Sequence, residues 1–90
     1  MVMIHASHPH IIARLKRANG HLNSVIQMIE AGRPCVDLAQ QLHAVEKAIM
    51  NAKRELIQDH MDHCLDDVAV MNGRGAKDTL AEFKTLAKYL

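Results

Sequence analysis

The sequence predicts an all-α chain of three helices, two long ones folded into a hairpin and a short third. Three observations carry this. Apolar residues recur at alternating spacings of four and three from Ile11 to Ile29 and again from Leu38 to Leu56, which places them on one face of a helix. Between Cys35 and Cys64 there is neither proline nor glycine, so nothing in that stretch interrupts a helix. No run alternates apolar and polar residues in the manner of a strand.

Residues 1–6 have no periodicity and read as a flexible leader ahead of one domain that spans the 90 residues. The leader holds His5, with His8 and His10 close behind. They read either as solvated surface residues or as auxiliary metal ligands near the amino terminus. Ser7 suits an N-cap and Pro9 falls in the first helical turn, where a missing N–H does no harm. The first helix then spans 8–31. Ile11, Leu15, Ala18, Leu22, Val25 and Ile29 form its apolar stripe, widened by Ile12 and Ile26. On another face His10, Arg14, Arg17 and His21 follow spacings of four, three and four, with Lys16 nearby. Gly20 in mid-helix suggests close approach of another backbone.

Ala31-Gly32-Arg33-Pro34 is a tight connection, with Gly32 suited to a left-handed position after the helix and Pro34 opening the next one. So short a link makes the two helices antiparallel. The second helix runs to about Cys64 or Leu65, past the reach of the first, and its far end needs another surface to pack on, which argues for a second chain. Asp66 to Gly75 reads as a loop. Thr79 and Glu82 resemble a capping box for a third helix over 77–89, with Leu80, Phe83, Leu86, Ala87 and Leu90 as its apolar residues.

Composition narrows the class. One Phe, one Tyr and no Trp leave an aliphatic, Met-filled core, and a chain this short gains stability by associating. The absence of about 18 uninterrupted apolar residues and of a cleavable leader points to a soluble cytoplasmic protein with no membrane partner. The formal net charge is only +1, but residues 1–34 carry Arg14, Lys16, Arg17 and Arg33 against Glu30 alone, whereas residues 35–64 carry three basic and five acidic side chains. The positive surface lies at the front of the chain, a weak nucleic-acid signal by itself.

The chemistry sits at the ends of the second helix. His60 and Cys64 are four residues apart and share a face, an imidazole beside a thiolate, which is chelating geometry for a transition metal. Cys35 precedes His60 by 25 residues, or roughly 38 Å of helix at ~1.5 Å per residue. One helix cannot bring the three to one ion. An antiparallel pair of these helices, crossing near Ile49, would set Cys35 of one chain beside His60 and Cys64 of the other, giving two equivalent sites. The same separation forbids an intrachain disulfide and leaves the cysteines as free thiols or ligands in a reducing compartment. Catalysis is disfavoured, since no oxyanion hole, glycine-rich loop or third orienting group accompanies the Cys/His pair. A structural zinc module lacks the paired C-x-x-C spacings. A helical adaptor in which His60 and Cys64 are incidental is the plain alternative.

The segment Arg14-Leu15-Lys16-Arg17-Ala18-Asn19-Gly20-His21 resembles the R-x-x-R-x-x-G-Q signature of the copper-sensitive operon repressor and nickel/cobalt repressor (CsoR/RcnR) family, formerly DUF156. Cys35, the run Leu42-His43-Ala44-Val45-Glu46-Lys47-Ala48-Ile49 and the His60-x-x-x-Cys64 ending match the family at the same relative positions. The resemblance implies an antiparallel four-helix-bundle dimer, a dimer of dimers, and repression of efflux or detoxification genes without a helix-turn-helix. It implies Cys35, His60 and Cys64 as metal ligands, and Arg14, Lys16 and Arg17 as contacts to double-stranded operator DNA. His21 stands where the family usually has Gln and retains the ability to donate to phosphate. Glu46 matches an acidic position that supports the ligands in some members, and reads equally as a solvated carboxylate.

Two thiolates and an imidazole suit Cu(I), whereas nickel or cobalt wants a further N-terminal donor. The residue 32 before Cys35, often His in nickel-sensing relatives, is Met3, but His5 lies two residues away on the leader. The expectation tips toward nickel or cobalt with His5 as ligand, and Cu(I) is the alternative. A formaldehyde sensor fits less well, since that branch tends to carry proline at position two, where this chain has Val2, and to lack the Cys64 thiol.

Overall fold

Gly32 decides the first fold event. Its φ of 75° lies in the left-handed region that glycine enters without a Cβ clash. Around it the amide of Arg33 donates to the Met28 carbonyl at 3.1 Å and that of Gly32 to Ile29 at 3.1 Å. This paired pattern closes a helix and turns the chain back. The Pro34 carbonyl accepts from Leu38 at 3.1 Å, so the proline sits at the half-in position that begins the next helix.

In the computed structural model, residues 8–70 and 74–90 are described, with side chains described for 8–62 and 77–90. Three helices follow in order: α1 (His8–Glu30), α2 (Cys35–Val70) and α3 (Arg74–Ala87). Ser7 and the leader, His5 included, lie outside the described residues, as do residues 71–73. Pro9 occupies the first turn of α1 as expected.

The apolar stripes split into two seams. Ile11, Ala18 and Val25, each seven apart, are buried on α1, and Val45, Ala52 and Ile57 are buried on α2, which packs against it. The intervening residues remain open: Leu15, Ile29, Leu42, Ile49 and Leu56 are all more than a third exposed. A two-helix hairpin has only one contact line, so a stripe two residues wide buries one edge and leaves the other outward. Gly20 has nothing within 4 Å of an added Cβ. The close backbone approach expected there is absent within the chain.

Two expectations about the far end are corrected. The long helix continues to Val70 instead of ending near Cys64, because no glycine or proline intervenes before Gly73 and an established helix propagates cheaply. α3 begins at Arg74 instead of residue 77 and contains Gly75. A helical glycine costs only about 1 kcal/mol against alanine, which the packing of α3 offsets. Thr79 and Glu82 are therefore inside α3 and not at its cap. α3 itself covers α2 beyond the reach of α1: Met61 and Phe83 line one gap between them. A second chain is not the only cover for that end. Leu90, expected in the apolar face of α3, is 59% exposed beyond the helix.

Candidate functional site

The long helix separates the candidate ligands as its continuity requires. Cys35 is its first residue, with an exposed thiol. His60 lies 25 residues on, roughly 38 Å along the axis. Cys64 falls one turn later on the same helix, but its side chain lies outside the described residues. Among the described residues no group of three or more His, Cys, Asp or Glu side chains is placed to hold a metal.

His60 is clasped. Its Nε2 lies 2.6 Å from Oε1 of Glu82 on α3, with the histidine side chain 25% and the glutamate 55% exposed. An ionised carboxylate only accepts, so Nε2 is the nitrogen that donates to it, and in the neutral tautomer compatible with this contact the lone pair is on Nδ1. That is the tautomer a metal-binding imidazole adopts when a carboxylate holds its other nitrogen.

Glu82 is the residue that sequence reasoning missed. A capping box explains its Thr-x-x-Glu spacing locally. Only the fold-back of α3 shows that the carboxylate meets α2. Glu46, by contrast, is exposed on α2 and, 14 residues from His60, stands roughly 21 Å from it in the same chain.

Both arginines of α1 lie along its contact with α2. Arg14, Arg17 and His21 line a cleft of about 240 Å³ together with Ala18, Ala48 and Asn51. His21 Nε2 donates to Oε1 of Gln41 at 2.6 Å, which fixes the ring against α2. Arg14 is engaged twice: Nε donates to His10 Nε2 at 3.2 Å, and Nη1 lies 3.4 Å from the Glu55 carboxylate. Lys16 does not line the cleft. It is offset by ~100° per residue from Arg17 around the helix, and it is exposed.

Comparisons with known proteins agree on the family and name different metals for its members. A family model described as "Metal-sensitive transcriptional repressor" matches residues 7–89. The copper-sensing transcriptional repressor CsoR of Mycobacterium ulcerans (strain Agy99) is 42% identical over 62 residues, which is 69% of this chain and 52% of that protein. The chain thus spans about half the length of this mycobacterial relative. The protein of the same description from Bacillus subtilis (strain 168) is 37% identical over 81 residues, 87% of this chain and 79% of that one. Among solved structures, the nickel-responsive transcriptional regulator InrS matches with a TM-score of 0.82 at 30% identity, covering 100% of both chains.

Proposed function

The chain belongs to the metal-sensitive transcriptional repressor family, and from that premise we propose that it represses by binding operator DNA in its metal-free form and releases it on metal binding. Members of this family are transcriptional repressors and not enzymes. Among the described residues no helix is long and apolar enough to cross a membrane.

The observation that carries the proposal is the placement of Cys35 and the Glu82-held His60 at opposite ends of one unbroken helix. Neither end is a site alone. Antiparallel pairing of two α2 helices about Ile49 brings Cys35 of one chain to His60 and Cys64 of the other. The open seam of Leu42, Ile49 and Leu56 is the surface for that pairing, since its apolar side chains recur every seven residues. Leu15 and Ile29 of α1 extend it toward a four-helix bundle. Two such dimers would form the homotetramer and bring their α1 helices into one basic face, where Arg14 and Arg17 of the cleft and Lys16 beside it neutralise phosphates and His21 lines the same surface. Glu46 remains a candidate supporting carboxylate across the pair.

A bound ion would cross-link two chains and favour the helix packing in which that bridge closes. The chain's own residues do the rest. Glu82 holds the imidazole with Nδ1 as the ligating atom, and the shift of α2 against α1 changes the spacing of the clefts. A coupling of about 1–3 kcal/mol for each ligation is the usual scale, and several sites in one assembly add to a clear switch.

A set of two thiolates and one imidazole is complete for Cu(I) without the leader, and the two sequence relatives described above are named copper-sensing. This moves the balance from nickel or cobalt to Cu(I). Nickel or cobalt, with His5 as a fourth ligand, is the second reading, favoured by the likeness to InrS.

Titration of the reduced protein with Cu(I) and Ni(II), followed by ultraviolet-visible spectra and DNA affinity, tests both. A tight, spectrally quiet Cu(I) complex that lowers DNA affinity supports copper. An intense Ni–thiolate band with the same loss supports nickel. DNA affinity indifferent to Cu(I), Ni(II) and Co(II) rejects metal sensing. Cys35→Ala removes the metal response and spares metal-free DNA binding, whereas Arg17→Ala does the reverse; a variant losing both or neither counts against this division of roles.

A further inference from the structure

The cleft between α1 and α2 treats its two arginines differently. Arg17 lines it with no carboxylate at ion-pair distance among the described residues. Arg14, one turn earlier, faces Glu55, whose Oε2 lies 3.4 Å from Nη1 and whose Oε1 lies 3.8 Å from His10 Nε2. Glu55 stands on α2 one turn beyond Asn51, which lines the same cleft. The Arg14 side chain is 43% exposed and that of Glu55 32% exposed. An arginine this accessible is hydrated without help, so the carboxylate is not needed to offset burial of its charge, and exposed ion pairs add little to stability.

A carboxylate and a phosphate present the same kind of acceptor oxygens to a guanidinium. We infer that Glu55 is an internal stand-in for a DNA phosphate on Arg14, a competitor that must give way before Arg14 engages the backbone. This rests on the DNA role proposed above for the α1 cleft. The exchange sets the affinity of the metal-free protein. Arg17 is open to the first phosphate contact, while the Arg14 contact forms only against the Glu55 carboxylate. A displaced carboxylate also takes up a cation from solution, which cancels part of the counterion release that drives binding to DNA.

The test uses the full-length reduced, metal-free protein and a DNA duplex carrying its upstream region, with affinity read by fluorescence anisotropy across a salt series. Glu55→Gln is expected to bind about two- to five-fold tighter, the scale of one exposed ion pair, and with a salt dependence steeper by up to about one phosphate equivalent. In an Arg14→Ala background the same substitution should give no gain. Glu30→Gln, at the other end of α1, measures the general effect of removing a negative charge and should give less. The proposal is overturned if Glu55→Gln leaves affinity unchanged or lowers it, if its gain persists without Arg14, or if Glu30→Gln matches it. These outcomes are separable from failure of the DNA reading itself. In that case the wild-type protein shows no salt-dependent DNA binding and Arg14→Ala and Arg17→Ala change nothing.

Discussion

Removing the Glu82 carboxylate tests how far the metal site depends on α3. The clasp is short, 2.6 Å from Oε1 to His60 Nε2, yet Glu82 is 55% exposed. As a contribution to the docking of α3 on α2 it is worth no more than about 1 kcal/mol, because water competes for both groups. Its effect on ligation is expected to be larger. Loss of a carboxylate that orients a metal-bound imidazole commonly costs about 10–100-fold in metal affinity, or ~1.4–2.8 kcal/mol. Without it the Nε2 proton loses its carboxylate acceptor on α3, and the ligating nitrogen is less basic. Glu82→Ala should therefore weaken metal binding by one to two orders of magnitude while DNA affinity of the metal-free protein stays unchanged. Glu82→Gln, whose side-chain carbonyl still accepts from Nε2 without the charge, should fall between. Competition against a chromophoric chelator gives the affinities, and circular dichroism confirms that α3 stays helical. If both variants bind metal like the wild type, Glu82 has no part in ligation and the tautomer argument for His60 is wrong.

Ile49 lies at the midpoint of the open seam and is 45% exposed. Ile49→Glu should leave a helical monomer by sedimentation velocity and abolish the inter-chain metal site; a variant that sediments like the wild type would show that the α2 helices do not pair there. Gly32→Ala should destabilise the chain by about 1 kcal/mol. Nothing lies within 4 Å of the added Cβ, so the cost is that of the φ of 75° alone. Urea denaturation measures it at fixed protein concentration, and an unchanged midpoint would mean the turn accommodates alanine by leaving that conformation.

The hairpin was legible because each of its causes is local. Apolar spacing, the glycine at 32 and the proline at 34 act within a few residues, and the structure forms both helices and the turn as read, burying one edge of each apolar stripe. The end of α2 and the start of α3 were misjudged for the complementary reason. Asn72-Gly73 and Gly75 look like one long loop when counted as turn residues, but a helix already formed runs on until a residue stops it, and α3 tolerates a glycine once α2 supplies packing. The candidate ligands were legible as a pattern, since the four-residue step from His60 to Cys64 is itself helical geometry.

What the sequence alone determined is therefore everything that depends on neighbours along the chain: three helices, the turn at Gly32, and the separation of Cys35 from His60 that no single helix can close. The tertiary structure decided which of two adjacent apolar seams is buried, that Glu82 meets His60, and that Glu55 meets Arg14. Those contacts join residues more than 20 positions apart. Their existence depends on how helices pack, and spacing within one helix carries no information about which side chain from another helix will stand opposite.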